Sequence, residues 1–104
     1  MVKEYDKLVR DDIPEIIRKD GKTPVTTRAK GAEYCEMLRR KLDEEVREYH
    51  DSQDPEELAD ILEVVYALAE AEGTAASNIE SLRKFKQKDR GGFEEGIILR
   101  EVRE

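Results

Sequence analysis

KLDEEVREYHDSQDPEELADILEVVYALAEAEG, residues 41–73, decides the fold. Its first part continues an apolar line at Leu38, Leu42, Val46 and Tyr49, spaced i, i+4, i+8, i+11, which is one face of a helix. That spacing predicts a first long helix over 31–50, uninterrupted by Pro or Gly after Gly31. DSQDP (51–55) then reads as a short turn. Asp54 suits an N-cap, Pro55 the first helical position, and Glu57 completes a capping-box pattern. A second long helix is predicted from about 55 to 72, stopped at Gly73. Leu58, Ile61, Leu62, Val65 and Ala69 form one stripe on it, and Val64, Ala67, Leu68 and Ala71 another. A helix apolar over so much of its circumference is expected to be central and buried on several sides. The turn is short, so the two helices should lie antiparallel and adjacent.

Working outward, Ile79, Leu82 and Phe85 mark the inner face of a third long helix over roughly 75–89, ended by Gly91 and Gly92. Upstream, Asp12 can cap a short helix with Pro14 in its first turn and Glu15 three residues after the cap. Ile13, Ile16 and Ile17 give it an apolar face, and Gly21 is its stop. Residues 22–28, KTPVTTR, are β-branched around Pro24 and read as extended. The tail carries Ile97, Ile98, Leu99 and Val102, which suggests a minor β pairing of 23–28 with the tail. The expected class is mainly α: an antiparallel bundle of three long helices plus a short N-terminal helix, in a single domain over 1–104.

Composition narrows the function. The chain has 104 residues, 19 Lys+Arg against 26 Asp+Glu, and a formal net charge of −7. This balance argues against binding a nucleic acid polymer, which is driven by phosphate neutralisation. It leaves room for a small phosphorylated ligand bridged to carboxylates by a metal ion. No apolar run approaches the roughly 18–20 residues of a membrane span. The start shows no signal-peptide h-region. The single cysteine, Cys35, excludes a disulfide framework and a cysteine zinc site. A cytoplasmic location is the expectation. A domain this small is marginal alone, so help from self-association or from a bound ligand is expected, and the broadly apolar helix at 55–72 points to a homodimer.

The chemistry concentrates in the acidic residues flanking the turn. Glu45 lies at Leu42+3 and Leu38+7, on the inner face of the first long helix, and Glu48 follows at Glu45+3. Glu57, Asp60, Val64 and Leu68 continue one line on the second, so two carboxylates begin an otherwise apolar stripe. A hairpin would bring the four together, since side chains three apart are neighbours on a helix. Clustered carboxylates repel and lose hydration unless a cation joins them. All-oxygen ligation without His or Cys suits Mg²⁺ or Mn²⁺. Any single Glu here also fits a solvated charged face, and Glu57 fits a capping box. A di-iron bundle would need Glu-x-x-His motifs, but the one histidine, His50, follows Arg47 at that spacing. Two basic groups stand elsewhere. Lys86 and Arg90 precede the Gly91–Gly92 pair, and Lys7 and Arg10 sit in KLVRD. Each is a candidate for phosphate contact, and each also fits ordinary surface charge.

The segment EEVRE (44–48) followed by ELAD (57–60) resembles the EExxE…ExxD signature of the all-α nucleoside triphosphate pyrophosphohydrolases of the MazG type. The opening YDKLVRDDIPEII and the closing RGGFEEGIIL resemble a small single-domain, phosphoribosyl-ATP pyrophosphohydrolase-like branch of that superfamily. The resemblance implies a Mg²⁺-dependent helical enzyme that cleaves a nucleoside triphosphate, standard or modified, to the monophosphate and pyrophosphate. By position it implies Glu45, Glu48, Glu57 and Asp60 as metal ligands. Glu44 and Glu45 would be the catalytic pair, with Glu44 outside the direct ligands or assisting in activating water. Lys86, Arg90, Lys7 and Arg10 would contact substrate. The signature reports phosphate chemistry and leaves the base open. Phosphoribosyl-ATP as substrate, and a non-catalytic nucleotide- or partner-binding module, stand as alternatives.

Overall fold

The computed structural model describes residues 1–3 and 5–104. The chain is mainly α, with four helices among the described residues, in order: α1 (Ile13–Lys19), α2 (Gly31–Ser52), α3 (Pro55–Ala71) and α4 (Ala76–Arg90). No helix among the described residues is long and apolar enough to cross a membrane.

The hairpin between α2 and α3 is tighter than DSQDP suggests, because α2 runs on through Ser52. Only Gln53 and Asp54 separate the helices. Gln53 takes a left-handed conformation (φ 55°), and its N–H donates to the Tyr49 carbonyl at 2.7 Å. The chain thereby reverses without a glycine. Asp54 is extended and caps α3, its Oδ1 accepting from the Glu56 N–H at 2.9 Å. The reciprocal half of the expected capping box does not form. The Asp54 N–H donates instead to Ser52 Oγ at 3.1 Å. Glu57 is therefore released from the structural role its spacing offered.

α2 and α3 pack together and run in opposite directions. Cys35 Sγ donates to the Ala71 carbonyl at 3.9 Å at one end, and Glu45 stands beside Glu57 and Asp60 at the other. Their seam holds the core: Leu38 is 3% exposed, with Val64 and Ala69 also buried. Leu38→Ala is expected to cost about 2–5 kcal/mol in a urea melt, because the seam has few other atoms to close the cavity. A loss below about 1 kcal/mol would place Leu38 outside the stabilising core.

Three expectations are corrected. No strand exists among the described residues. Residues 23–28 and the tail carry no pairing, and Val25, Ile97, Ile98 and Leu99 are exposed. Consecutive apolar residues suit a strand only where neighbours cover both faces and take the backbone bonds. Second, α4 packs on α3, but only Ile79 of its expected inner face is half-buried; Leu82 is exposed and Phe85 is 66% exposed. Third, Asp12 offers α1 no side-chain cap, having helical angles itself (φ −88°, ψ −4°) that turn its carboxylate away from the N-cap geometry. The result is an extended molecule. Its radius of gyration is 18.3 Å, against about 13 Å for a compact chain of this length.

Candidate metal centre

The α2–α3 hairpin places five carboxylates in two overlapping groups. Ligand oxygens of Glu44, Glu45 and Glu48 lie within 4.8 Å of one another, as do those of Glu45, Glu57 and Asp60. Glu45 belongs to both. Among the described residues it is also the one buried charged residue, 7% exposed. Its Oε1 pairs with Lys41 Nζ at 3.1 Å, one helical turn before it. Its Oε2 is buried with no hydrogen-bond partner.

The other cations arrive from the N-terminal segment. Arg10 Nη2 donates to Asp60 Oδ1 at 2.7 Å. Lys7 Nζ donates to Glu44 Oε1 at 3.2 Å, and Lys41 Nζ lies 3.5 Å from the same oxygen. Sequence separation gave no warning of these contacts, because residues 7–10 follow no helical period.

Three cations thus touch three of the five carboxylates, and Glu48 and Glu57 receive none among the described residues. Their protonation follows that division. Burial works to raise the Glu44 carboxyl, but the hydrogen bond and charge of Lys7, with the charge of Lys41, outweigh it and hold it below its ordinary value. The Glu45 carboxylate within hydrogen-bonding reach of a protonated Glu48 pushes Glu48 up, reinforced by burial and by the charges of Glu45, Glu57 and Glu44. Burial, then the charges of Asp60 and Glu45, pushes Glu57 up. Glu48 and Glu57, both raised, thus stand beside a buried undonated oxygen, and a divalent cation is a partner that would offset the mutual repulsion of these carboxylates. The donor set is all oxygen, so the residues fit Mg²⁺ or Mn²⁺.

A cleft of about 540 Å³ opens beside this cluster, between the N-terminal segment and the hairpin. Its polar lining includes Glu45, Asp60, Glu63, Asp11 and Asp12 with Lys41 and Arg10. Its apolar lining includes Tyr34, Leu38, Val64, Ala67, Ile13 and Ile16.

Of the residues singled out in the sequence, the structure brings Glu44, Glu45, Glu48, Glu57, Asp60, Lys7 and Arg10 together. It does not bring Lys86 and Arg90 to them within one chain. Both are exposed, and the ion partner of Arg90 is its neighbour Asp89 at 3.6 Å. Lys41 was missed. Its signal was present, a Lys three and four residues before two glutamates, but it reads as one more charge on a charged helix.

No family model matches the chain, and no solved structure does. The chain is similar to an uncharacterized protein of Mycolicibacterium smegmatis, 55% identical over 42 residues. That stretch is 40% of this chain and 43% of the mycobacterial protein. The chain therefore spans less than half the length of that relative.

Proposed function

We propose that this protein is a Mg²⁺-dependent nucleoside triphosphate pyrophosphohydrolase, with Mn²⁺ able to substitute. It would cleave an NTP or dNTP to the monophosphate and pyrophosphate in the cytoplasm. The observation that carries this reading is the buried, undonated Oε2 of Glu45, the residue common to both carboxylate groups. A solvated acidic face would not bury that atom. The sequence resemblance to the MazG-type enzymes supports the same chemistry.

Glu45, Glu48, Glu57 and Asp60 would hold the metal. When bound, Mg²⁺ supplies charge neutralisation for the phosphates and activation of water. Glu44, held in its ionised form by Lys7 and Lys41, would accept a proton from attacking water. Arg10 and Lys7 move from carboxylate to phosphate as substrate arrives. The apolar lining residues would contact the nucleoside, and Lys41 and Arg10 the phosphates. Arg10→Gln is expected to raise KM about tenfold, the loss of a charge-assisted hydrogen bond, with kcat changing less. An unchanged KM in initial-rate measurements would remove Arg10 from the substrate site.

The antiparallel bundle belongs to this proposal, completed between two copies of the chain. The exposed faces at Leu58 and Leu62 of α3 and Leu82 and Phe85 of α4 are the apolar surface that a homodimer would cover. Light scattering on a sizing column is expected to give twice the chain mass of 12.0 kDa at micromolar concentration. A single 12.0 kDa species would refute the dimer.

The test of function is a chromatographic assay with Mg²⁺ over standard and modified NTPs and dNTPs, with phosphoribosyl-ATP in the panel. Monophosphate plus pyrophosphate, abolished by EDTA, is the expected result. No product from any member would overturn the enzymatic reading and leave a binding module.

A further inference from the structure

Lys41 is the least exposed of the cations on the carboxylates, its side chain 15% exposed against 42% for Lys7 and 57% for Arg10. Taking an ammonium out of water is costly, so the position needs a local reason. Helix stabilisation does not supply it. A Lys four residues before a Glu is the less favourable order along a helix. The geometry supplies another. Lys41 Nζ engages only Oε1 of Glu45, at 3.1 Å, and also reaches Glu44 Oε1 at 3.5 Å. Oε2 of Glu45 is left buried and undonated, on a carboxylate that groups with Glu57 and Asp60.

We infer that Lys41 is a positioning residue: it anchors one oxygen of Glu45 so that the other is presented to the divalent cation. This rests on the metal reading above and adds to it which group fixes the central ligand. Lys41 and Glu45 sit one turn apart on the same helix, so α2 itself sets the carboxylate's direction. Arg10 and Lys7 differ in kind, since they reach the cluster from an irregular segment and bind oxygens at its exposed rim.

The two roles open to Lys41 predict opposite signs. A mere counter-ion competes with the metal for negative charge, so removing it tightens metal binding. A positioning group weakens metal binding when lost, by roughly 10–100-fold where such partners have been removed from metal sites. The experiment is calorimetric titration of Mn²⁺ into the nucleotide-free 104-residue chain. K41Q is expected to bind at least about tenfold more weakly than the parent, and K41R to recover most of the loss. Lys84→Gln, an exposed charge on α4, is expected to bind as the parent does. K41M keeps the half-buried methylenes, and with K41R it decides the matter by the same criterion if K41Q unfolds. Parent-like or tighter binding by K41Q or K41M overturns the inference while leaving the metal site standing. Absence of Mn²⁺ binding by the parent chain overturns the metal reading, and the role of Lys41 with it.

Discussion

Asp60→Asn and Glu45→Gln are each expected to lose roughly 10²–10⁴-fold in turnover, the equivalent of several kcal/mol of lost charge stabilisation at a metal site. Their routes differ. Asn at 60 keeps the shape but removes the charge that Arg10 faces at 2.7 Å, so both a metal ligand and the local ion pair weaken. Gln at 45 removes the charge common to both carboxylate groups and strips Lys41 of its 3.1 Å partner. Neither change should unfold the hairpin, whose seam is built from Leu38, Val64 and Ala69. Removing one of several repelling charges relieves the cluster, so helical circular dichroism should be retained in both. Glu56→Gln provides the contrast. It adjoins Glu57 in sequence, but its side chain is exposed and outside both carboxylate groups, and turnover should stay within about twofold. Near-normal turnover in Asp60→Asn and Glu45→Gln would sink the ligand assignment. Equal losses in all three would point to a general effect of negative charge.

How far the sequence reaches can be judged at particular residues. The α2–α3 pair was legible because Leu38, Leu42, Val46 and Tyr49 keep one period up to a Pro-initiated helix start, and both signals are local. Glu45 was legible as an acidic residue on an apolar face, and the structure buries it. Glu57 was ambiguous. One-dimensional spacing cannot tell a capping-box glutamate from a free one, and the arbiter was the Ser52 hydroxyl taking the Asp54 N–H. Lys7 and Arg10 could be suspected of a role but not placed, since no periodicity ties residues 7–10 to partners some 37 to 50 positions away. The tail misled for a related reason. Ile97-Ile98-Leu99 has the composition of a buried strand, but burial needs a partner surface, and within one chain Phe93 is 98% exposed and the three that follow stand in solvent. The inner face of α4 failed in the same way: the period was present and the covering surface was not.

Divalent metal should reshape the stability of this chain and its dependence on pH. Mn²⁺ at about 100 times its dissociation constant adds about 2.7 kcal/mol to a state it alone binds. For a domain of this size that is roughly 10–20 °C in Tm. The metal-free chain should behave unusually. Glu48 and Glu57 are raised in the folded state, so the folded chain takes up protons more readily than the unfolded chain. Stability then falls as pH rises from the ordinary carboxylate range through their raised values, and their repulsion is fully felt at neutrality. Acidifying the metal-free protein from neutral pH toward that range should therefore raise its Tm. Glu44, lowered by its lysines, acts in the opposite sense but at lower pH, where its contribution is lost as pH falls through its folded value. With Mn²⁺ present the sign reverses in the upper window. Protons now compete with the metal for the same oxygens, so the metal-induced gain is largest at neutral pH and shrinks on acidification. Melting curves with EDTA and with Mn²⁺ should thus converge as pH falls. Parallel curves across that window would mean that the metal binds elsewhere than on Glu48 and Glu57, and coincident curves at neutral pH that it does not bind the folded chain at all.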